Sequence, residues 1–487
     1  MQLCALSVSR SSAFMRDGAV AFAALNVNVR RKGETRMKSV SRLLCGALAV
    51  GAIAVGSTSA TAAGFMLMEQ SVSGIGNCFA GAGADAYDAS TVYFNPAGMT
   101  YLEGSQVAAG FHVIAPTFKF ENDGSTHILQ DITGQGLTGG NGGNGGITKA
   151  APNLYYVNND SDLAWGIGVN APFGNATDYG ETWVGRYHGT DSEIITVNIN
   201  PSVAYKVNEQ FSVGGGLNIQ YLEATLGSMI DFGTALSALG FTPQGDDGKV
   251  SLQADSFGYG WNVGMMFNID DTSRLGFSYR SKIKHDAEGD ADFSVPADVR
   301  ATLNGMGATD LYVDVDASAS ITLPAMAVLA YFNQVTPKLA LMGNIVWTQW
   351  DTMDELVAEF DNDQPDNVTV MEWENSFRYA IGATYSYSER LDLRCGISYE
   401  ETPIPDAEHR TPRIPDDNRW WVSVGAGYQA GSQLNLDFGL TQIFADSMEI
   451  DKSESFADDE NDYIRGGLKG DYNSSVTILS AQAVYSF

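Results

Sequence analysis

The 487-residue chain has few cysteines, few basic residues and few histidines. Four cysteines are too few for a disulfide scaffold, and no pair of them has the spacing of a zinc site. Lysine and arginine number 28 against 58 aspartates and glutamates, for a formal net charge of -30. Clustered cations that could neutralise a phosphate backbone are therefore scarce. We expect no structural metal and no nucleic-acid partner.

Catalytic patterns are also lacking. The five histidines are scattered, and none belongs to a Ser/His/Asp or metal-ligand spacing. The glycine-rich run 139–146 lacks the strand-to-helix context and the Gly-Lys-Ser/Thr end of a phosphate-binding loop. We therefore expect no catalytic residues and no cofactor, and we interpret the chain as a non-enzyme.

Long apolar runs are missing beyond the first sixty residues. Residues 37–62 have the pattern of a secretory signal peptide, with a charged start, an apolar stretch over 43–55 and small residues at 60–62. We expect the mature chain to begin near Ala63, and we interpret residues 1–36 as an over-extended start. No later apolar stretch of about 18 residues follows, which excludes an α-helical membrane span.

From about residue 104 the chain repeats segments of about ten residues in which apolar and polar side chains alternate, clearest at 211–221. This alternation is typical of strands with one apolar face. Fourteen such segments lie near 104–120, 149–157, 162–171, 194–207, 211–225, 257–268, 274–285, 317–333, 338–350, 375–387, 390–400, 419–429, 432–444 and 474–487.

Short polar turns and long loops separate these segments, in a pattern typical of outer-membrane barrels. Closure into a barrel pairs every backbone group that faces lipid. A soluble β-sandwich would also have alternating strands, but it does not account for the short and long connections. We therefore predict an all-β fold, a 14-stranded antiparallel transmembrane β-barrel over residues 104–487 with long external loops.

The chain ends at Phe487, on the apolar face of its last alternating segment. A terminal aromatic residue there resembles the outer-membrane assembly signal, so we expect the barrel-assembly machinery to be a partner. Outer-membrane lipid and lipopolysaccharide are expected around the barrel. Five tryptophans fall near predicted strand ends, where an aromatic girdle would sit, at Trp165, Trp347, Trp350, Trp420 and Trp421.

Residues 63–103 do not alternate and are too few for a separate domain. We predict that they fold into the lumen as an N-terminal hatch. Acidic clusters at 351–366 and 446–462 are interpreted as solvated loop faces. The alternative is that divalent cations bridge these loops to lipopolysaccharide phosphates.

Several short motifs resemble those of the FadL-type outer-membrane transporters. They are Ala63-Gly64-Phe65, Gly74-Ile75-Gly76-Asn77, Gly81-Ala82-Gly83, Asn95-Pro96-Ala97-Gly98-Met99, the run from Gly166 to Gly174, Trp183-Val184-Gly185-Arg186-Tyr187 and Asn200-Pro201-Ser202-Val203-Ala204-Tyr205. The resemblance implies a 14-stranded barrel closed by a hatch. It also implies passive uptake of long-chain fatty acids or related hydrophobic compounds across the bacterial outer membrane, or of aromatic or alkane hydrocarbons in some relatives.

The same resemblance implies capture among the external loops, binding in the lumen and lateral exit through a wall gap near strand three. Glycine and proline suit a kinked strand, although they also suit a strand end that leads into a loop. The kink candidates are Gly166, Gly168, Asn170, Pro172 and Gly174, and the hatch candidates are Asn95, Pro96, Ala97 and Gly98.

A carboxylate headgroup in the lumen needs a cation or N–H donors. Alternation with Leu275, Phe277, Tyr279 and Ile283 on the lipid face predicts inward positions for the neighbouring cations. The headgroup candidates are Arg280, Lys282, Lys284, Arg378 and Arg394. The alternative is that they pair with lumenal acids such as Asp392 and Asp437.

Other functions remain open. A structural or adhesive surface barrel could act through the long acidic loops. A barrel enzyme lacks a recognisable constellation, and a polar-solute porin is disfavoured by the plug-like segment.

Overall fold

The computed structural model describes residues 64–161, 163–446, 448–452 and 464–487. The expected signal peptide at 37–62 and the segment before it lie outside the described residues. Across the described ranges, no helix is long and apolar enough to cross a membrane.

Twenty strand segments form one sheet that closes on itself. They are β1 (Gly104–Asn122), β2 (Lys149–Asn159), β3 (Leu163–Asn170), β4 (Gly174–Asp178), β5 (Asp191–Lys206), β6 (Phe211–Asp231), β7 (Asp247–Asn268), β8 (Ser273–Arg280), β9 (Ile283–Ser294), β10 (Val315–Leu323), β11 (Met326–Thr336), β12 (Leu339–Thr348), β13 (Glu355–Phe360), β14 (Asn367–Val370), β15 (Ser376–Ser388), β16 (Leu391–Glu400), β17 (Arg419–Gln429), β18 (Leu434–Ala445), β19 (Met448–Asp451) and β20 (Lys469–Ser486).

These segments form fourteen antiparallel strands of the barrel wall, which are called staves below. Some staves consist of two segments. β3 and β4 form the third stave, β8 and β9 the seventh, and β10 and β11 the eighth. β13, β14 and β19 extend the ninth, tenth and thirteenth staves. The last strand, β20, pairs with β1 over seventeen residue pairs and closes the cylinder. The predicted 14-stranded antiparallel barrel is confirmed.

The two faces of the wall differ as the alternation predicts. Outward side chains such as Leu217, Phe257 and Tyr259 are largely exposed, whereas their neighbours Asn218, Gln220 and Ser256 are buried inside. Trp165 and Trp420 face outward, as an aromatic girdle requires. The girdle interpretation is wrong for Trp350 and Trp421, which are fully buried in the interior.

Short turns lie at one rim and long loops at the other, so the short-turn rim is the periplasmic side. Within the described ranges, the loops of the opposite rim include three short helices. These are α3 (Gln130–Thr133), α4 (Phe232–Ala235) and α5 (Ala297–Gly305), numbered after α1 and α2 of the segment before the barrel.

Residues 64–103 precede the barrel and are called the hatch below. The hatch contains α1 (Val72–Ile75), α2 (Thr91–Phe94) and a 3₁₀ helix over Pro96–Tyr101, and nearly all of its residues are buried. Its apolar side chains form one core with inward residues of the wall. The lumen is therefore filled by the hatch at this level.

Inward glycines of the wall make room for the hatch backbone. A Cβ atom at Gly214 would lie 2.6 Å from the Ala97 nitrogen, and one at Gly264 would lie 2.9 Å from Pro96 Cδ. Both distances are shorter than carbon side chains tolerate, so glycine is required where the hatch touches the fifth and sixth staves.

Candidate functional site

The external half of the lumen holds an apolar chamber. Side chains from six consecutive staves converge there, and the surface that they present to the cavity is almost entirely apolar, although Gln253, Asp290 and Ser318 also border it. The lining includes Ile194, Leu222, Leu252, Ala287, Ala317 and Leu356, around a cavity of about 60 Å³. The alanines among them leave space that larger side chains would fill. The chamber therefore suits an apolar ligand.

A belt of buried amides lies directly on the periplasmic side of this chamber. The Asn198 amide donates to Asn170 and Asn218 at 3.2 Å each, and the Asn200 amide donates to Asn262 at 2.8 Å. Some belt atoms have no hydrogen-bond partner among the described residues, including Asn170 Nδ2 and Asn262 Nδ2. The belt thus offers donors and acceptors at the end of an apolar space.

Arg280 joins this belt to the hatch. Its guanidinium donates to the Asn218 side chain and, at 3.0 Å, to the Tyr93 carbonyl oxygen. It lies 4.3 Å from the centre of the Tyr93 ring. The Arg280 Nε atom is buried without a partner in the described part of the chain. Of the five headgroup candidates, Arg280 is the one beside the belt.

The expected inward orientation of Lys282 and Lys284 is wrong. Both side chains are exposed, and Lys284 pairs with Asp286 on the outer face. Arg280 pairs with Asn262 of β7, and Glu288 pairs with Asp255. Between these two pairs the seventh stave advances eight residues while its neighbour advances seven. This bulge reverses the alternation and turns Ile283, instead of the lysines, toward the lumen.

Arg378 and Arg394 point inward and hold the hatch. Arg394 Nη1 is 2.7 Å from Asp437 Oδ1, and its guanidinium lies 4.5 Å from the centre of the Tyr87 ring. Arg378 donates to the Cys78 carbonyl oxygen at 2.9 Å. The alternative interpretation, pairing with a lumenal acid, is confirmed for Arg394 and Asp437.

The third stave is interrupted. β3 ends at Asn170 and β4 begins at Gly174, so Pro172 lies within the break. β2 pairs with β3 only over 154–158, although it pairs with β1 along its whole length. Residues 150–153 of β2 therefore have no strand partner on the side of the break. On the external side of the break, Gly146 pairs with Thr177, and this bridge limits the size of the opening.

The other kink candidates lie in regular β3. Gly166 and Gly168 face inward, where Cβ atoms would lie 2.9 Å from Met99 Sδ and 2.9 Å from the Tyr155 ring. They make room for the hatch and for Tyr155 rather than ending the strand.

The leading end of the hatch bonds to the break from inside. The Leu67 N–H donates to the Pro172 carbonyl oxygen at 2.8 Å, and the Gly174 N–H donates to the Phe65 carbonyl oxygen at 2.9 Å. Gln70 Nε2 donates to the Ala171 carbonyl oxygen at 2.8 Å. The hatch supplies the pairing that the interrupted stave lacks.

Four buried aromatic rings meet at this point. Phe65 lies 5.9 Å from Phe173 and 5.2 Å from Trp350, and Trp350 lies 5.1 Å from Trp373, measured between ring centres. We call these four residues the aromatic cluster. They come from the hatch, the break and a distant external loop. Phe65 and Phe173 lie in motifs that the sequence singled out, Trp350 was expected in the girdle, and Trp373 carried no signal in the sequence.

The Asn95 box anchors the hatch on the opposite side of the lumen. Asn95 Nδ2 donates to the Gly83 carbonyl oxygen at 2.7 Å and to the Met265 carbonyl oxygen at 3.0 Å, and its Oδ1 atom accepts from the Ala97 N–H. Pro96 and Ala97 pack on the wall glycines, and Gly98 fits beside Thr91 and Ala86. The four residues thus attach the hatch to staves five to seven.

A second cavity of about 340 Å³ opens below the hatch. Its lining is mainly polar and includes Tyr87, Gln106, Arg390, Gln433 and Asn435. The hatch separates it from the apolar chamber. We call it the periplasmic vestibule.

The family model described as "Outer membrane protein transport protein (OMPP1/FadL/TodX)" matches residues 53–487. The long-chain fatty acid transport protein of Escherichia coli O6:H1 is 31% identical over 426 residues, which cover 84% of this chain and 93% of that protein. Outer membrane protein P1 of Haemophilus influenzae is 29% identical over 427 residues, which cover 82% and 90%.

Solved structures share the fold. A Pseudomonas aeruginosa FadL homologue superposes with a TM-score of 0.78 at 24% identity, over 87% of this chain and 100% of that chain. The Pseudomonas putida toluene transporter TodX superposes with a TM-score of 0.63 at 17% identity, over 89% and 100%.

Removal of the Arg394 charge should destabilise the protein. The substitution Arg394→Met leaves Asp437 as an unpaired buried carboxylate, which typically costs about 3–5 kcal/mol. The double variant Arg394→Met/Asp437→Leu should recover most of that loss, and Arg390→Met, at an exposed position, should change little. Urea unfolding in detergent measures these differences. A double variant as unstable as Arg394→Met would contradict the role of the ion pair.

Proposed function

The chain belongs to the outer membrane protein transport family (OMPP1/FadL/TodX), and from this premise we propose that it takes up long-chain fatty acids passively and releases them sideways into the membrane. One observation carries the proposal: an apolar chamber lined by the fourth to ninth staves lies next to a third stave whose pairing is interrupted. The name of the Escherichia coli relative supports the choice of cargo. The proposal includes no catalytic step and no cofactor.

Capture would begin at the external loops. Phe232 and Leu236 of the loop after β6 pack against Val299 and Leu303 of α5. Leu239, four residues after α4, and Met306, directly after α5, are more than half exposed. Exposed apolar groups beside an apolar cluster provide a place for an acyl chain to leave water.

Binding would follow in the apolar chamber. The acyl chain would contact the inward alanine, leucine and isoleucine side chains, and the carboxylate would reach the amide belt. Arg280 is the cation of that belt, and its Nε atom has no partner within the described ranges. Charge-assisted hydrogen bonds to a carboxylate are the strong ones among such contacts.

Exit would occur through the break in the third stave. Pro172 cannot donate to a neighbouring strand, and residues 150–153 of β2 have no strand partner on that side. Phe65 and Leu67 close the opening from inside, so their displacement would connect the lumen with the bilayer. An acyl chain that leaves there never crosses the polar vestibule below the hatch.

Two partners follow from the position in the outer membrane. Phe487 is largely exposed on the outer face, and its N–H pairs with the Ser105 carbonyl oxygen at 2.9 Å. The barrel-assembly machinery would recognise this C-terminal end. Lipopolysaccharide would surround the external half of the wall.

A bulky side chain at the unpaired edge should block exit. Ala151 is buried on the inner face of β2, and Ala150 beside it is only partly buried. We expect Ala151→Trp to lower uptake of a labelled long-chain fatty acid by about tenfold or more, and Ala150→Trp to leave it near the wild-type rate. Whole-cell uptake, normalised to the amount of folded barrel, measures the effect. Equal uptake by the two variants would contradict lateral exit.

Loss of the Arg280 cation should discriminate between cargoes. Because a charge-assisted hydrogen bond contributes about 1.5–3 kcal/mol, Arg280→Gln should weaken fatty-acid binding by roughly 10- to 100-fold. Binding of an alkane of equal length should change little. Lys284→Glu, on the outer face, is the control. Equal losses of affinity for the fatty acid and the alkane would show that Arg280 does not bind the headgroup. Such a result would favour the alternative function, uptake of hydrocarbons.

A further inference from the structure

Two buried asparagines lie at the point where the second and third staves separate. The last paired residues of β2 and β3 on the side of the break are Leu154 and Val169. Continuing the antiparallel register by one residue places Asn153 opposite Asn170. Asn153 is 4% exposed and Asn170 is 2% exposed. The two side chains therefore lie inside the wall, at the periplasmic edge of the break.

Each of these asparagines has one unused amide atom. Asn153 Oδ1 has no hydrogen-bond partner among the described residues, and neither does Asn170 Nδ2. The first atom is an acceptor and the second is a donor, yet they do not bond to each other. Buried amide atoms nearly always have a partner. An unused acceptor beside an unused donor indicates a ligand that has one group of each kind.

The other atoms of both amides are held by neighbours. Asn153 Nδ2 lies 3.1 Å from His112 Nε2, and because the amide nitrogen only donates, this ring nitrogen is the acceptor. His112 Nδ1 lies 2.8 Å from Ser480 Oγ, to which it donates. Asn170 Oδ1 accepts from Asn198 Nδ2 at 3.2 Å. Among the described residues, no charged side chain is hydrogen-bonded to either asparagine.

The amide belt connects this pair with Arg280. Asn198 donates to Asn170 and also to Asn218, and Asn218 accepts from the Arg280 guanidinium. A continuous line of polar side chains thus leads from the cation to the break. A headgroup that leaves Arg280 meets hydrogen-bonding groups along the whole way to the wall.

The bilayer admits a carboxyl group far more easily in its neutral form. An ionised carboxylate is costly to move out of water, and apolar surroundings therefore favour its protonation. A protonated carboxyl group has one O–H donor and one carbonyl acceptor. The O–H group matches Asn153 Oδ1, and the carbonyl oxygen matches Asn170 Nδ2. An ionised carboxylate only accepts, and it would face the Asn153 oxygen without a hydrogen bond.

We propose, on the basis of the function proposed above, that Asn153 and Asn170 form an exit site for the protonated carboxyl group of the cargo. Arg280 holds the ionised form in the lumen. On leaving Arg280 the carboxylate takes one proton from a hydronium ion, so an O–H bond forms on the cargo and a water molecule remains. The neutral acid then passes between the two asparagines into the membrane.

The hatch covers this site in the closed wall. The Tyr155 hydroxyl donates to the Gln70 carbonyl oxygen at 2.9 Å, and Gln70 Nε2 donates to the Ala171 carbonyl oxygen at 2.8 Å. Tyr155 is two residues from Asn153, and Ala171 follows Asn170. The displacement of the leading end of the hatch that exit requires would therefore uncover both unused atoms.

Substitution of Asn153 tests the site, because Asn153 lies outside the amide belt. Asn153→Leu keeps the size of the side chain and removes the acceptor. We expect uptake of a labelled long-chain fatty acid to fall about tenfold, the effect of one lost hydrogen bond, and uptake of an alkane of equal length to change by less than about twofold. The affinity of the purified protein for the fatty acid should stay at the wild-type value, since Arg280 is unchanged.

A matched control removes a similar amide elsewhere in the lumen. Asn344 is buried and inward on β12, its Nδ2 atom donates to the Phe79 carbonyl oxygen at 3.0 Å, and its Oδ1 atom has no partner in the described part of the chain. Asn344→Leu should keep the wild-type ratio of fatty-acid to alkane uptake. Uptake is measured in whole cells, normalised to the amount of folded barrel and corrected for cells that lack the protein.

An alkyl sulfonate of equal length tests the protonation step with the wild-type protein. Its headgroup has the charge that Arg280 binds, but it stays ionised and has no O–H group. We expect it to bind to the purified protein about as tightly as the fatty acid and to be taken up at least about tenfold more slowly. This measurement decides the question even if Asn153→Leu does not fold.

Two results would overturn the exit site and leave the proposed function intact. The first is an unchanged ratio of fatty-acid to alkane uptake in Asn153→Leu. The second is uptake of the sulfonate as fast as that of the fatty acid. A wild-type protein that neither binds nor takes up fatty acid would contradict the proposed function itself, and the exit site with it.

Discussion

Within a bilayer, backbone N–H and C=O groups at a strand edge must find partners inside the protein. The barrel meets this requirement through strand pairing around most of its wall. At the third stave, where Pro172 interrupts the ladder, the leading end of the hatch provides partners for Pro172 and Gly174 instead. The hatch is therefore part of the wall as well as a plug, and movement of its first residues would change the lumen and the wall together.

Attachment of the hatch elsewhere makes such a local movement possible. The Asn95 box is bonded to staves five to seven, and the Arg394–Asp437 pair lies beside Tyr87 on the far wall. These contacts are buried and specific, whereas the leading end is joined to the break by a few backbone bonds and by aromatic packing. The body of the hatch can stay in place while Phe65 and Leu67 move.

Alternation and the order of short and long connections were sufficient to predict the barrel, because they reflect the two faces of every stave. They were insufficient at the seventh stave, where one extra residue after Arg280 reverses the faces of Lys282 and Lys284. A bulge of this kind leaves no signature in side-chain type. The inward positions of Trp350 and Trp421 were missed for a related reason, since position near a strand end does not specify a face.

The candidate site depends on residues that are distant in the chain. Phe65, Phe173, Trp350 and Trp373 meet only after the barrel has closed, and the chamber takes between one and four residues from each of six staves. Arg280 could be found from its strand and charge, but its place beside the amide belt depends on the register of four neighbouring staves. Sequence patterns identify strands and motifs, whereas closure of the barrel determines which residues line the same cavity.

Lateral release requires that cargo pass through the wall at the third stave. A fatty acid carrying a photoreactive group near its methyl end, bound to the protein in lipid nanodiscs and irradiated, would reveal this path. Lateral release should give cross-links to Ala151, Pro172 or Phe173 and to surrounding lipid. Cross-links confined to residues of the periplasmic vestibule, such as Tyr87 and Gln433, would contradict it.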